Sequence, residues 1–168
     1  LEINVANIFL IGDTHFGHPL VSGLRGFATV EEHDEEVISR WNSVVREFDH
    51  VYHLGDVAMR QKALVQVGRL KGKLRLVRGN HDIYKTKEYL VYFKEIHGAR
   101  VIDNMVLTHI PVHEMSVGRY TANVHGHLHG GTVEDRRYFC ASWENVGGVP
   151  VSLETVKKRV ITGGSDGV

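Results

Sequence analysis

Two short apolar runs in the chain end in the same dipeptide. Ile8-Phe9-Leu10-Ile11 runs into Gly12-Asp13, and Val51-Tyr52-His53-Leu54 runs into Gly55-Asp56. A run this short, fully apolar or nearly so and closed by glycine, reads as a buried strand. Between the two, Thr29-Val30-Glu31-Glu32 has capping-box spacing, with threonine at the N-cap and glutamate three residues on. Val37, Ile38, Trp41, Val44, Val45 and Phe48 then recur at helical spacing, which predicts an amphipathic helix over 30–48. Its acidic residues sit in the first turns, where the helix dipole favours them. Strand, helix, strand implies parallel neighbours joined by a right-handed crossover. Asp13 and Asp56 then share one edge of one sheet, outside the strands' carboxyl ends, where open α/β sheets build their sites.

The same pattern continues. Leu74-Arg75-Leu76-Val77 is a third strand, and it ends in Arg78-Gly79-Asn80-His81-Asp82. Residues 60–71 carry Ala63, Leu64, Val67 and Leu70 and read as a short helix stopped by Gly72. Residues 19–28, with Pro19, Gly23 and Gly26, read as an irregular loop, as do 111–122. Residues 86–97 read as a helix with Tyr89, Leu90, Tyr92, Phe93 and Ile96 inward. Residues 99–107 read as a hairpin turning at Asp103-Asn104, and its second arm runs into Thr108-His109. A further strand is expected within 136–142, and Ser152 caps a terminal helix over 153–159. A single domain is expected over 1–162, with 163–168 a flexible tail.

Histidine is the compositional outlier, with 12 residues in 168. Three of them alternate in Val124-His125-Gly126-His127-Leu128-His129-Gly130, which reads as a place where metal is held. In Asp13-Thr14-His15 a carboxylate and an imidazole sit two apart, a spacing that in extended chain points both the same way. His50 and His53 precede the end of their strand and read as structural or surface residues rather than ligands. Lys+Arg and Asp+Glu balance at 20 each. An extended nucleic-acid surface is therefore not indicated, and any anion site must be local. Cys140 is the one cysteine, which excludes an internal disulfide and a thiolate cluster; it reads as a small buried residue. No apolar run approaches the ~20 residues of a membrane span, and no signal pattern opens the chain, so a cytoplasmic protein is the expectation.

Taken together, Asp13-Thr14-His15, Gly55-Asp56, Gly79-Asn80-His81-Asp82, His109 and Gly126-His127-Leu128-His129 resemble the calcineurin-like metallophosphoesterase superfamily. The five blocks stand in the family's order, and the extended Asp-Thr-His-Phe-Gly-His form is similar to its compact phage and bacterial branch. The resemblance implies an α/β fold, a sandwich of two mixed β-sheets flanked by α-helices, with the active site at the carboxyl ends of the strands. It implies two divalent metal ions. Asp13, His15, Asp56 and His129 would hold one, and Asp56, Asn80, His109 and His127 the other, with Asp56 bridging. His125 lies outside the family pattern and reads as structural or as supporting a ligand. Mixed imidazole, carboxylate and amide donors suit Mn, Fe, Ni, Co or Zn, and manganese is favoured.

The resemblance also implies the chemistry: hydrolysis of a phosphoester, with His81 protonating or stabilising the leaving group and Asp82 orienting His81. The chain has little room for an added recognition domain, so a small phosphoester substrate is expected, a nucleotide among the candidates. His18 and Arg25 in one irregular loop, and His113, Arg119 and Tyr120 in the other, are the candidate contacts to it. A phosphodiesterase acting on small diesters, including 2′,3′-cyclic nucleotides, is the favoured activity. A phosphomonoesterase would use the same site. A nuclease would need a binding surface that zero net charge does not suggest, and a non-catalytic scaffold would be expected to have lost ligands that are all present here.

Overall fold

The computed structural model describes residues 5–162. In the first sheet β1 (Ile8–Ile11), β2 (His50–His53), β3 (Lys73–Val77) and β4 (Glu95–His97) run parallel. The second sheet holds β5 (Arg100–Ile102), β6 (Met105–Leu107), β7 (Ala122–His125) and β8 (Tyr138–Cys140), in that order. There β5 and β6 form the antiparallel hairpin, and β6, β7 and β8 run parallel. β9 (Val151–Ser152) returns to the first sheet, antiparallel beside β1, so its order is β4-β3-β2-β1-β9. Both sheets are mixed and helices flank them, as expected.

Period-two alternation on β1 explains the layering. Phe9 and Ile11 face one core with Val37, Ile38 and Trp41 of α2 (Val30–Val44). Leu10 faces the other, with Leu107 and Val124 of the second sheet and Val156 and Val160 of the terminal helix. β1, β2 and β3 each send residues into both cores, and the fully apolar run of β1 follows from that two-sided cover. The sheets are stitched where the site lies. Gly12 donates to the Ala141 carbonyl at 2.8 Å, and the Trp143 amide donates back to Gly12 at 3.1 Å. That bridge brings the carboxyl ends of β1 and β8 together.

Several expectations are corrected. Residues 19–28 are not all loop: α1 spans Pro19–Leu24, with Pro19 at its first position and Ser22 bonded to the His18 carbonyl. Its glycines mislead because Gly26, at φ +83°, is the residue that ends it. The helix expected over 30–48 stops at Val44, because the buried Asp49 carboxylate captures the Arg46 amide and side chain and folds 46–49 into a turn. The segment after Arg60 is a 3-10 helix, Gln61–Arg69. The helix expected over 86–97 is one turn, α3 (Thr86–Tyr89). Its remainder supplies β4, whose pairing to β3 outweighs helical periodicity, and Leu90 is exposed rather than inward. A single turn, α4 (Glu114–Val117), lies inside the second loop. The strand expected within 136–142 is Tyr138–Cys140, and Cys140 is buried. The terminal helix α5 runs Leu153–Thr162, with Ser152 Oγ accepting from the Thr155 amide. The hairpin turns at Asp103-Asn104, both at positive φ. The tail expected to be flexible, 163–168, lies outside the described residues.

Candidate metal centre

Every candidate ligand lies just beyond the carboxyl end of β1, β2, β3, β6 or β7, and the backbone there is unusual. Among the described residues seven non-glycine ones have positive φ, and five of them are Asp13, His15, Asp56, His127 and His129. The stretch Asp13-Thr14-His15 is therefore not extended, as the two-residue spacing suggested. Its geometry is held by hydrogen bonds to the neighbouring loop: the Asp13 amide donates to Gly55 O at 2.9 Å, and the His15 amide to Asp56 O at 3.0 Å. Two glycines let the loops approach. A Cβ on Gly79 would stand 2.3 Å from Asp56 Oδ1, and one on Gly126 would stand 2.7 Å from Asp13 Oδ2.

The side chains converge into two groups. Asp13, His15 and His129 each offer a donor atom, all within 4.8 Å of one another, and so do Asp56, His109 and His127. Asp56 lies between the groups: its Oδ2 is 3.8 Å from His15 Nε2, and its Oδ1 is 3.4 Å from His109 Nε2. Asn80 belongs to the second group, its Oδ1 lying 2.9 Å from His109 Nε2 and 3.0 Å from His127 Nδ1. The donor set fits divalent ions. Asp13 Oδ1 and both ring nitrogens of His15 are buried without a hydrogen-bond partner, an arrangement that costs free energy unless a cation completes it.

His109 Nδ1 donates to the Leu54 carbonyl at 2.7 Å, and its Nε2 faces the side-chain oxygens of Asp56 and Asn80. Burial alone would lower its pKa, but Asp56 outweighs burial and raises it. Burial pushes His15 down to about 3, so it is a neutral imidazole. Burial alone would raise Asp56, but the adjoining His109 outweighs it and holds the carboxyl at about 2. Burial raises Asp13. His53 is structural, as expected: it is buried, pushed down to about 3 by that burial, and bonded through Nε2 to Thr14 Oγ1 at 2.9 Å. His125 is buried behind the ligands, with Nδ1 on the Gly126 carbonyl at 2.8 Å.

The catalytic and substrate candidates fall out differently. His81 stands at the open side of the centre, its ring 47% exposed and its Nε2 3.9 Å from Asp56 Oδ2. Its backbone amide donates to Asp56 Oδ1 at 2.9 Å. The Asp82 carboxylate binds backbone rather than the His81 ring: it accepts from the amides of Asp56 and Val57 at 2.9 Å and Gly79 at 2.8 Å. That is a clasp between the loops after β2 and β3, not the orienting contact expected. His18 is half-buried, its ring centroid 5.5 Å from that of His15, and burial lowers its pKa. Arg25 does not face substrate: its side chain is 3% exposed and paired with Glu144 at 2.7 Å. Arg119 and Tyr120 lie at the wrong end of the second sheet. The Arg119 carbonyl meets Asn104, and Thr121 donates to the Asn104 carbonyl, in the turn leading into β6, away from His109 and His127. His113 caps α4. One residue was missed. Glu144 follows β8 as Asp13 follows β1, and its Oε1 lies 3.1 Å from His129 Nδ1. A polar residue just past an apolar strand was the signal, and it applied here too.

Two mixed sheets with paired nests of imidazole and carboxylate at one joined edge define a metal-dependent hydrolase. Residues 7–159 match the calcineurin-like phosphoesterase superfamily domain, and the chain belongs to that superfamily. It is accordingly a metal-dependent phosphoesterase. The chain is 30% identical to an uncharacterised protein of Methanocaldococcus jannaschii, over 96% of this chain and 95% of that one. Among solved structures, a protein of unknown function from Aquifex aeolicus is 27% identical and superposes with a TM-score of 0.70, over 92% of this chain and 99% of that one. A structure described as a novel archaeal phosphodiesterase shares the fold at 18% identity and a TM-score of 0.50, over 81% and 82% of the respective chains. No helix among the described residues is long and apolar enough to cross a membrane.

Proposed function

We propose that the chain is a binuclear phosphodiesterase acting on small substrates, cyclic nucleotides including the 2′,3′-cyclic ones among them. The observation that carries the binuclear reading is Asp56, whose two oxygens face one imidazole of each donor group. Asp13, His15, Asp56 and His129 would hold one ion, and Asp56, Asn80, His109 and His127 the other. When bound, such a pair supplies Lewis acidity toward phosphoryl oxygens and a water acidic enough to attack phosphorus near neutral pH. Imidazole, carboxylate and amide donors without thiolate suit Mn, Fe, Ni, Co or Zn, and the family resemblance makes manganese the ion for assay.

The chain's own residues do the rest. His81 is fixed by its amide bond to Asp56 while its ring stays exposed. On this reading His81 would be the proton donor, beside the bridging carboxylate and on the side from which a leaving alkoxide would depart. His18 lines the same opening next to His15 and offers a further polar contact to substrate. The diester preference has a charge argument. A monoester carries ~1.5–2 negative charges at neutral pH, whereas a diester carries one. Arg25, the cation that would have matched the second charge, is bonded within the protein.

The test is a substrate panel with Mn²⁺ and a chelator control. It compares bis-p-nitrophenyl phosphate with p-nitrophenyl phosphate, and 2′,3′-cyclic with 3′,5′-cyclic nucleotides. Higher kcat/KM on the diesters, lost with chelator, is the expected result. The reverse ratio would make the protein a monoesterase with the same site.

A further inference from the structure

Arg25 came out of the sequence as a candidate substrate contact, and its surroundings give it another part. A guanidinium has five N–H donors in a fixed plane, and all five are used. Nε and Nη2 donate to Glu144 Oε1 at 2.9 and 2.7 Å. Nη2 also donates to the Asp13 carbonyl at 2.7 Å. Nη1 donates to the Thr14 carbonyl at 3.2 Å and to His33 Nε2 at 2.9 Å. His33 accepts there because its Nδ1 donates to Asp34 Oδ1 at 3.0 Å. Asp34 in turn accepts from the Gly17 amide at 3.2 Å. The guanidinium lies over Trp143, 4.5 Å from the ring centroid, which fixes its plane.

The far end of this chain of contacts is a candidate ligand. Glu144 Oε1 takes Arg25 and also faces His129 Nδ1 at 3.1 Å, leaving Nε2 as the ring nitrogen without that contact. Glu144 Oε2 is buried with no partner. A buried ion pair that leaves an oxygen unsatisfied is a poor source of stability, so its retention calls for another cause. The cause at hand is His129. A carboxylate on the far nitrogen of a metal-binding imidazole fixes its tautomer, aims the ring and raises its basicity.

We propose that Arg25 and Glu144 are positioning residues for one of the two metal positions, the one formed by Asp13, His15 and His129. Glu144 holds the proton of His129 on Nδ1 and points Nε2 at the metal. Arg25 holds Glu144 and, through the carbonyls of Asp13 and Thr14, the turn that carries Asp13 and His15. One cation thus sets ligands from β1 and from the segment after β7 relative to each other. The second position, with His109 braced by the Leu54 carbonyl, has its own support and meets this pair only through the bonds that join the turns, His127 N to Asp13 Oδ2 and His15 N to Asp56 O. The inference rests on the two-metal reading proposed above.

Two measurements test it. In metal-free wild-type protein, long-range ¹H–¹⁵N spectra of the imidazoles, with His129 assigned by difference against His129→Gln, report which nitrogen carries the proton. At a pH where the ring is neutral, a proton on Nδ1 is expected, and a proton on Nε2 alone overturns the proposal without any variant at Glu144 having to fold. Mn²⁺ titration of chelator-stripped wild type and Glu144→Gln, followed by calorimetry, reads the affinities. The variant should lose ~10–100-fold at one position and far less at the other. Equal weakening of both positions, or two-site binding unchanged from wild type, overturns the positioning role. A stripped wild type that takes up one equivalent or none instead overturns the two-metal reading on which the inference stands.

Discussion

Asp82 separates two accounts of the loop after β3. If it polarises His81, Asp82→Asn should slow turnover and leave the fold alone. The structure gives it different work. Its carboxylate accepts three amides, from Asp56, Val57 and Gly79, at 2.8–2.9 Å, in a buried setting. Removing both acceptor oxygens with alanine would orphan three N–H groups at ~1–3 kcal/mol each, a gross cost of roughly 3–9 kcal/mol. Part of that is returned, because burial raises the Asp82 carboxyl and the fold already bears the cost of desolvating it. A net loss of about 2–5 kcal/mol follows. Asparagine is milder. Its oxygen can take the place of Oδ2 and serve Asp56 and Gly79, which turns its NH₂ toward the Val57 amide. One lost hydrogen bond and one donor–donor contact cost about 1–2 kcal/mol, or roughly 2–8 °C of melting temperature for a domain of this size. The assay is urea denaturation of wild type, Asp82→Asn and Asp82→Ala in chelator, so that metal binding does not mask the difference. A metal-free Asp82→Ala as stable as wild type, with turnover reduced, would refute the clasp and restore the role of orienting His81.

Three shorter expectations follow from the same geometry. His81→Ala should keep two bound metals by elemental analysis and lose far more turnover on alkyl esters than on p-nitrophenyl esters, whose leaving group needs no proton; equal losses would remove His81 from leaving-group protonation. Asp56→Asn should empty both positions, since each draws on that carboxylate, and full occupancy would contradict bridging. Asp49 tests the fold away from the centre. Burial alone would raise its carboxyl, but Arg46 and the amides of Asn7 and Arg46 outweigh that and hold it at about 2. A carboxyl depressed below its unfolded value of 3.8 contributes stability above that pH and loses it as pH falls from about 4 toward 2. Asp49→Asn should therefore flatten the acid limb of the stability profile there, and an unchanged limb would show that Asp49 does not set it.

The strands β1, β2 and β3 and the residues at their carboxyl ends were legible because buried strands write their sequence in one way: a short apolar run, then a break. Two kinds of feature were not. Short helices escaped, because α1 and α4 are too brief for periodicity to register. The aromatic spacing of 86–97 pointed to a helix, but only Tyr89 and Phe93 of that set are deeply buried, and the edge of the first sheet needed a strand. Partnerships between distant side chains escaped as well. Arg25 in a glycine-bearing loop resembles a solvent-facing cation until the fold brings Glu144, 119 residues away, against it. The resemblance implied that Asp82 orients His81, a contact that the turn does not make.

The ligand blocks carry a backbone cost as well as a chemical one, and the residue types reconcile the two. Left-handed conformations cost roughly 1–2 kcal/mol per L-residue, and Asp13, His15, Asp56, His127 and His129 all adopt them. Aspartate and histidine are among the few types that enter this region readily, and they are also the types that bind divalent ions through oxygen and nitrogen. The tight turns allow donors from five separate strands to converge within a few ångströms. The remaining cost is met by bonds made between the loops themselves, such as His127 N to Asp13 Oδ2 at 3.0 Å and His15 N to Asp56 O. In these two bonds one candidate ligand's amide is bound by another candidate ligand. Displacing one of them therefore loosens its neighbour's backbone too, so affinity losses at Asp13 and His127 should not add independently.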